Sequence, residues 1–155
     1  ALLPHMSVRS NIELPMKIAG RDPATIAARV LALSQRMQLT ESQLSRYPNE
    51  LSGGQQQRAG ICRALALAPE LLLLDEAFSG LDAITRSDTH AQFLEMRNDE
   101  INSCLLVTHD LAEAKRLADY FVILSGGRIV RQGPKHEVLA DPQDEYAAKL
   151  IEQCL

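Results

Sequence analysis

LSGGQQQRAGICRALALAPELLLLDEAFSGLD, residues 51–82, holds most of what decides the fold. Its first part reads as a helix from about Gly54 to Leu67 that stops before Pro69, because the residue before a proline leaves helical space. Four leucines then run into Asp75 and Glu76. A short apolar run between a proline and two acids predicts a strand buried on both faces, as in a parallel sheet. Outward on the C-terminal side, residues 83–98 read as a helix and "SCLLVTHD" (103–110) as a second buried strand. A helix is expected over Leu111–Leu117, and "YFVILSGGRIVRQG" (120–133) reads as strand, glycine turn, strand. Residues 134–153 offer two short helices broken at Asp141-Pro142. Outward on the N-terminal side, Asp22-Pro23 is a helix start, with Ile26, Val30, Leu33 and Met37 at helical spacing over residues 23–38. Polar residues 40–50 read as a linker. Strand–helix–strand–helix is the pattern of a parallel α/β sheet with crossover helices, and the helical front is expected to form a lobe of its own.

The totals narrow the class. The chain has 155 residues, 46% apolar and 23% charged, the composition of an ordinary water-soluble globular domain. A net charge of -4 gives no electrostatic footprint for nucleic acid. No apolar run reaches the ~20 residues of a membrane span, and the N-terminus lacks the pattern of a signal peptide. Cys62, Cys104 and Cys154 are widely spaced and form no metal-binding motif, so they read as reduced thiols, with Cys62 and Cys104 expected as core filler.

Several residues carry chemistry. Ser52-Gly53-Gly54 precede a helix, where unpaired amides and the helix dipole favour an anion, most naturally phosphate. A flexible cap is the simpler reading of such a triplet taken alone. Asp75 and Glu76 stand at the carboxyl end of a strand, where α/β sheets place ligands. An aspartate there can hold Mg²⁺ through water, and a neighbouring glutamate can orient or deprotonate an attacking water; two solvated acids are the alternative. "SGLD" puts Asp82 in a tight turn, and His109 ends the second strand, either hydrogen-bonded as a structural group or facing a terminal phosphate or the attacking water.

In this order, residues 51–82 and "LLVTHDLAEAKRLADYFVILSGGRIVRQG" (105–133) resemble the ATP-binding subunit of ABC transporters. The resemblance implies an α/β fold: the C-terminal half of a RecA-like P-loop NTPase core with parallel strands, plus the ABC helical subdomain. It implies a helical subdomain over 1–68 and a partial ATPase core over 69–155. It also implies roles. Leu51, Ser52, Gly53, Gly54 and Gln55 are the signature motif and, with Asp82 of the D-loop at Ser79–Asp82, bind the nucleotide. Asp75 ends the Walker B strand and is the Mg²⁺-side acid, Glu76 the catalytic base and His109 the switch histidine. ATP and Mg²⁺ are the implied cofactors. A second ATP-binding subunit, transmembrane permease subunits and an extracytoplasmic solute-binding protein are the implied partners, with the subunit lying at the cytoplasmic face of the membrane. Ala77 and Ala83 stand where the family often has proline, which loosens two turns.

No glycine is followed by Lys-Ser or Lys-Thr, so the phosphate-cradling loop G-x-x-x-x-G-K-[ST] is missing from these residues. The start, "ALLPHMSVRSNI", resembles the stretch after the glutamine that links to the helical lobe. The chain is therefore expected to be the C-terminal portion of a longer subunit, inactive alone and prone to self-association through an unpaired sheet edge. "HMSV", "NIELPMKIAG", "LDAITR" and "LADPQDEYAAKLI" resemble importers of the osmoprotectant group, which move glycine betaine and choline, with amino acid, peptide and lipoprotein-export relatives as the alternatives. Leu2, Leu3, Pro4 and Met6 are candidates either for contact with the membrane subunits or for ordinary core of the lobe. Two other classes stay open: a non-catalytic interaction module, and an ABC-type ATPase of DNA repair or translation, against which the absence of sustained heptads and of a second signature argues.

Overall fold

The computed structural model of the chain describes residues 2–101 and 103–152; Cys154 lies outside them. The chain divides into two compact units, one ending at Leu105 and the other starting at Leu106.

The first unit is mostly helical: α1 (Val8–Ile18), α2 (Pro23–Arg36), α3 (Glu41–Leu44), a 3-10 turn (Pro48–Glu50) and α4 (Gly53–Leu65), then strand β1 (Leu71–Asp75) and α5 (Ala83–Glu100). Each start has a local cause. Ser7, Asp22, Thr40, Ser52 and Asp82 cap their helices by accepting from an amide three residues on. Residues 40–50, expected as a linker, hold a one-turn helix closed by a capping box between Thr40 and Gln43. Helix α1 was not assigned from sequence, and Pro15 within it is the reason. Its fully buried Asn11 fixes the N-terminal segment: the side-chain oxygen accepts from the Leu3 amide at 2.7 Å, and the nitrogen donates to the carbonyls of Leu3, Met6 and Ser7.

Helix α1 packs on α2, α3 and α4, and α4 packs on α5. The core comprises Ile12, Met16, Val30, Leu33, Met37, Ile61, Cys62 and Leu65. Burial pushes the Cys62 thiol up to about 12, so it is an inert filler as expected. Arg29 of α2 donates to the Leu65 carbonyl at the end of α4 (2.8 Å) and pairs with Glu100 at the end of α5 (2.7 Å).

Strand β1 pairs with β2 (Ser103–Val107), and the class is α/β with a parallel-strand sheet. Burial differs from expectation. Leu72 and Leu74 are buried, but Leu71 and Leu73 are 53% and 64% exposed. Strand β2 is exposed at every position but Leu106, which is half-buried. Both strands were expected to be covered on both faces; the described residues cover β1 on one face only. Cys104 on β2 is likewise exposed rather than core.

The second unit continues with α6 (Leu111–Leu117), β3 (Tyr120–Ser125), β4 (Arg128–Pro134), α7 (Lys135–Ala140) and α8 (Glu145–Glu152). Strands β3 and β4 form an antiparallel hairpin with a register irregularity between Ile123 and Leu124. Gly126 and Gly127 join them with φ of 55° and 75°, the left-handed pair that a two-residue hairpin turn requires. Helices α7 and α8 pack on the hairpin, and Leu111, Phe121, Ile123, Val138, Ala147 and Ile151 form the core.

Candidate functional site

Helix α4 begins at the signature glycines. The Ser52 hydroxyl accepts from the Gln55 amide (3.3 Å), and the Gln55 side chain accepts from the Ser52 amide (3.1 Å), a reciprocal box. Accepting leaves the hydroxyl proton able to donate outward. Leu51 is buried beneath the turn, whereas Ser52 and Gly53 are exposed. The two glycines differ. A side chain at Gly53 would meet only the Gly80 carbonyl oxygen, at an ordinary 3.7 Å. A Cβ at Gly54 would lie 2.2 Å from Thr85 Cγ2, an impossible contact. Thr85 is β-branched and stiff. Gly54 therefore lets α4 close on the first turn of α5, a packing reason that sequence reading missed.

The same close approach brings the loop of Ser79–Asp82 beside the signature turn. Asp82 caps α5 by accepting from the Thr85 amide at 3.0 Å. That amide, with the Thr85 hydroxyl, holds the exposed Asp82 carboxyl below the usual carboxylate range. The capping role accounts for an aspartate here without a ligand.

Asp75 is exposed at the end of β1. Glu76 follows with φ of 49°, a left-handed backbone uncommon outside glycine. Strand alternation would send the Glu76 side chain to the buried face of Leu72 and Leu74. The left-handed turn breaks that alternation. The Glu76 carbonyl accepts from the amide (3.3 Å) and hydroxyl (2.9 Å) of Ser79, which closes the turn into the next loop.

The first unit thus brings together, around the starts of α4 and α5, the signature turn and the loop of Ser79–Asp82. His109 belongs to the second unit. It is exposed between β2 and α6, flanked by an ordered turn. There the Thr108 hydroxyl donates to Glu113 (2.6 Å) and accepts from the Asp110 amide (3.0 Å), and Asp110 caps α6 through the Glu113 amide (3.1 Å).

The exposed Gly53 at a capped helix start fits a phosphate group, with the Ser52 and Gln55 amides taken by the capping box. Asp75 alone fits a metal held mainly by water, since among the described residues no group of three His, Cys, Asp or Glu side chains could hold an ion directly. None of the described helices is long and apolar enough to cross a membrane.

A family model described as "ABC transporter" matches residues 1–79. Over 150 residues the chain is 41% identical to the glycine betaine/carnitine/choline transport ATP-binding protein OpuCA of Bacillus subtilis (strain 168), covering 97% of this chain and 40% of that protein. It is 38% identical over 154 residues to the spermidine/putrescine import ATP-binding protein PotA of Chromobacterium violaceum, covering 99% of this chain and 42% of that protein. The chain spans about two fifths of the length of these relatives. Among solved structures it resembles the post-hydrolysis dimer of the ATP-binding cassette MJ0796 bound to ADP and Pi. That match has a TM-score of 0.74 and 29% identity, over 86% of this chain and 58% of that one.

Proposed function

Because the chain belongs to the ABC transporter family, we propose that it supplies the signature half of a composite ATP site in the ATP-binding subunit of an importer. The observation that carries this reading is the juxtaposition of Gly53 with Gly80. It places an exposed, capped helix start and the Ser79–Asp82 loop on one edge of one unit. In that reading Leu51–Gln55 and Asp82 face the phosphates of a nucleotide held by a second subunit. Glu76 orients and deprotonates the attacking water, and His109 contacts the terminal phosphate. Asp75 holds Mg²⁺ through water; the ion, when bound, neutralises phosphate charge. Residues 1–68 serve as the helical subdomain that meets the permease, and 69–155 as part of the ATPase core. The subunit works at the cytoplasmic face of the membrane, with a solute-binding protein as the further partner.

The solute group we infer is the osmoprotectants, since relatives named for glycine betaine, carnitine and choline are 41% and 40% identical to this chain, against 38% for the spermidine/putrescine relative. No residue of this chain is assigned to solute contact.

A helix start and a capping serine lack the lysine and the nest of amides that grip β- and γ-phosphates. The 155-residue chain alone is therefore expected to bind Mg-ATP no more tightly than roughly millimolar, about 4 kcal/mol. Isothermal titration checks this. Micromolar affinity would show that these residues grip a nucleotide by themselves, and would overturn the composite reading.

A further inference from the structure

We propose that His90 is a positioning residue for Glu76, acting through Phe78. The inference rests on the reading of Glu76 as the base.

Glu76 stands in a left-handed backbone with φ of 49°. A non-glycine residue is held there only where its surroundings over-determine it. The Ser79 hydrogen bonds close the turn from one side. A further restraint comes from Phe78, two residues on and completely buried. Its ring meets the His90 ring edge-on, centroids 4.7 Å apart at 88°, and the Phe93 ring at 5.9 Å and 69°. His90 and Phe93 both lie on α5 and are 4% and 2% exposed.

Edge-to-face rings fix orientation as well as fill volume. With Phe78 locked between two rings, the backbone of residues 76–79 has little room to relax. The helix that starts at Asp82 thus reaches back to hold the turn carrying the carboxylate. An apolar aliphatic side chain at position 90 would fill the space without setting the ring plane.

A double-mutant cycle on this chain, read as urea midpoints, tests the coupling. Glu76→Gly relieves the left-handed strain and is expected to raise the midpoint by roughly 0.5 M. His90→Phe keeps a ring against Phe78, and the same gain is expected in that background. His90→Leu removes the ring, and there the gain is expected to fall to near zero, because the turn can already relax. Phe78→Leu offers a second route to the same loss should His90→Leu fail to fold. Equal gains from Glu76→Gly in all backgrounds would overturn the proposal, as would no gain in the parent chain. None of these midpoints involves ATP. In a chimera of these residues with the Bacillus subtilis OpuCA relative, His90→Leu is expected to lower kcat for ATP hydrolysis at least about fivefold with KM unchanged, and His90→Phe to keep it. An unchanged kcat in His90→Leu would overturn the positioning role, whereas unchanged activity in Glu76→Gln would overturn only the reading of Glu76 as the base.

Discussion

The two faces of the first unit's chemistry are finished to different degrees. Where α4 meets α5, closure is local and complete. Ser52 and Asp82 cap their helices, Gly54 accommodates Thr85, and Arg29 ties the far ends together through Leu65 and Glu100. On β1 only one face is finished: Leu72 and Leu74 are buried while Leu71 and Leu73 face outward. Caps and turns are satisfied by residues a few positions away. A strand buried on both faces needs layers supplied from far along a chain.

The sharpest way to break this contrast lies within β1 itself. Leu72→Ala is expected to cost about 2–5 kcal/mol, the range for truncating a buried leucine. Leu73→Ala, one residue away, is expected to change stability by no more than about 0.5 kcal/mol, as for an exposed position. Urea unfolding of both variants checks this, and equal losses would mean that β1 is covered on both faces. Next in size is Gly54→Val. Forcing a branched side chain against Thr85 is expected to cost about 1–3 kcal/mol. A neutral result would mean that α4 and α5 are not closed as described.

The smallest effect is electrostatic. Its Arg29 hydrogen bond, with the charges of Arg29 and Arg36, holds the Glu100 carboxyl below its ordinary 4.5. A carboxyl lowered on folding contributes stability that is fully present above its unfolded value and is lost as pH falls through the folded one. Unfolding midpoints are therefore expected to fall as pH drops below about 4.5, and less steeply in Glu100→Gln. Parallel profiles for the two chains would remove Glu100 from the account.

Local signals made much of this legible in sequence. Asp22-Pro23 marked α2, the run of leucines before Asp75 marked β1, and Gly126-Gly127 marked the hairpin. The motif order from Leu51 to Asp82 carried the family, which the match over residues 1–79 shows. What stayed hidden depended on distance or on competing local chemistry. Pro15 concealed α1, although Asn11 anchors that helix through four backbone groups. The burial of β1 was misread because alternation cannot be seen in four identical residues. The role of Gly54 could not be read either, since Thr85 is 31 positions away in sequence. No pattern predicts a left-handed Glu76; only backbone angles reveal it.

The central claim is that Glu76 acts from a composite site to which this chain gives the signature side. It is tested most directly by phosphate release from a chimera in which these residues replace the matching 150-residue stretch of the Bacillus subtilis OpuCA relative. The account predicts measurable ATP hydrolysis that falls by at least about 100-fold in Glu76→Gln, the scale of a lost general base. Hydrolysis at an unchanged rate with glutamine at position 76 would contradict it.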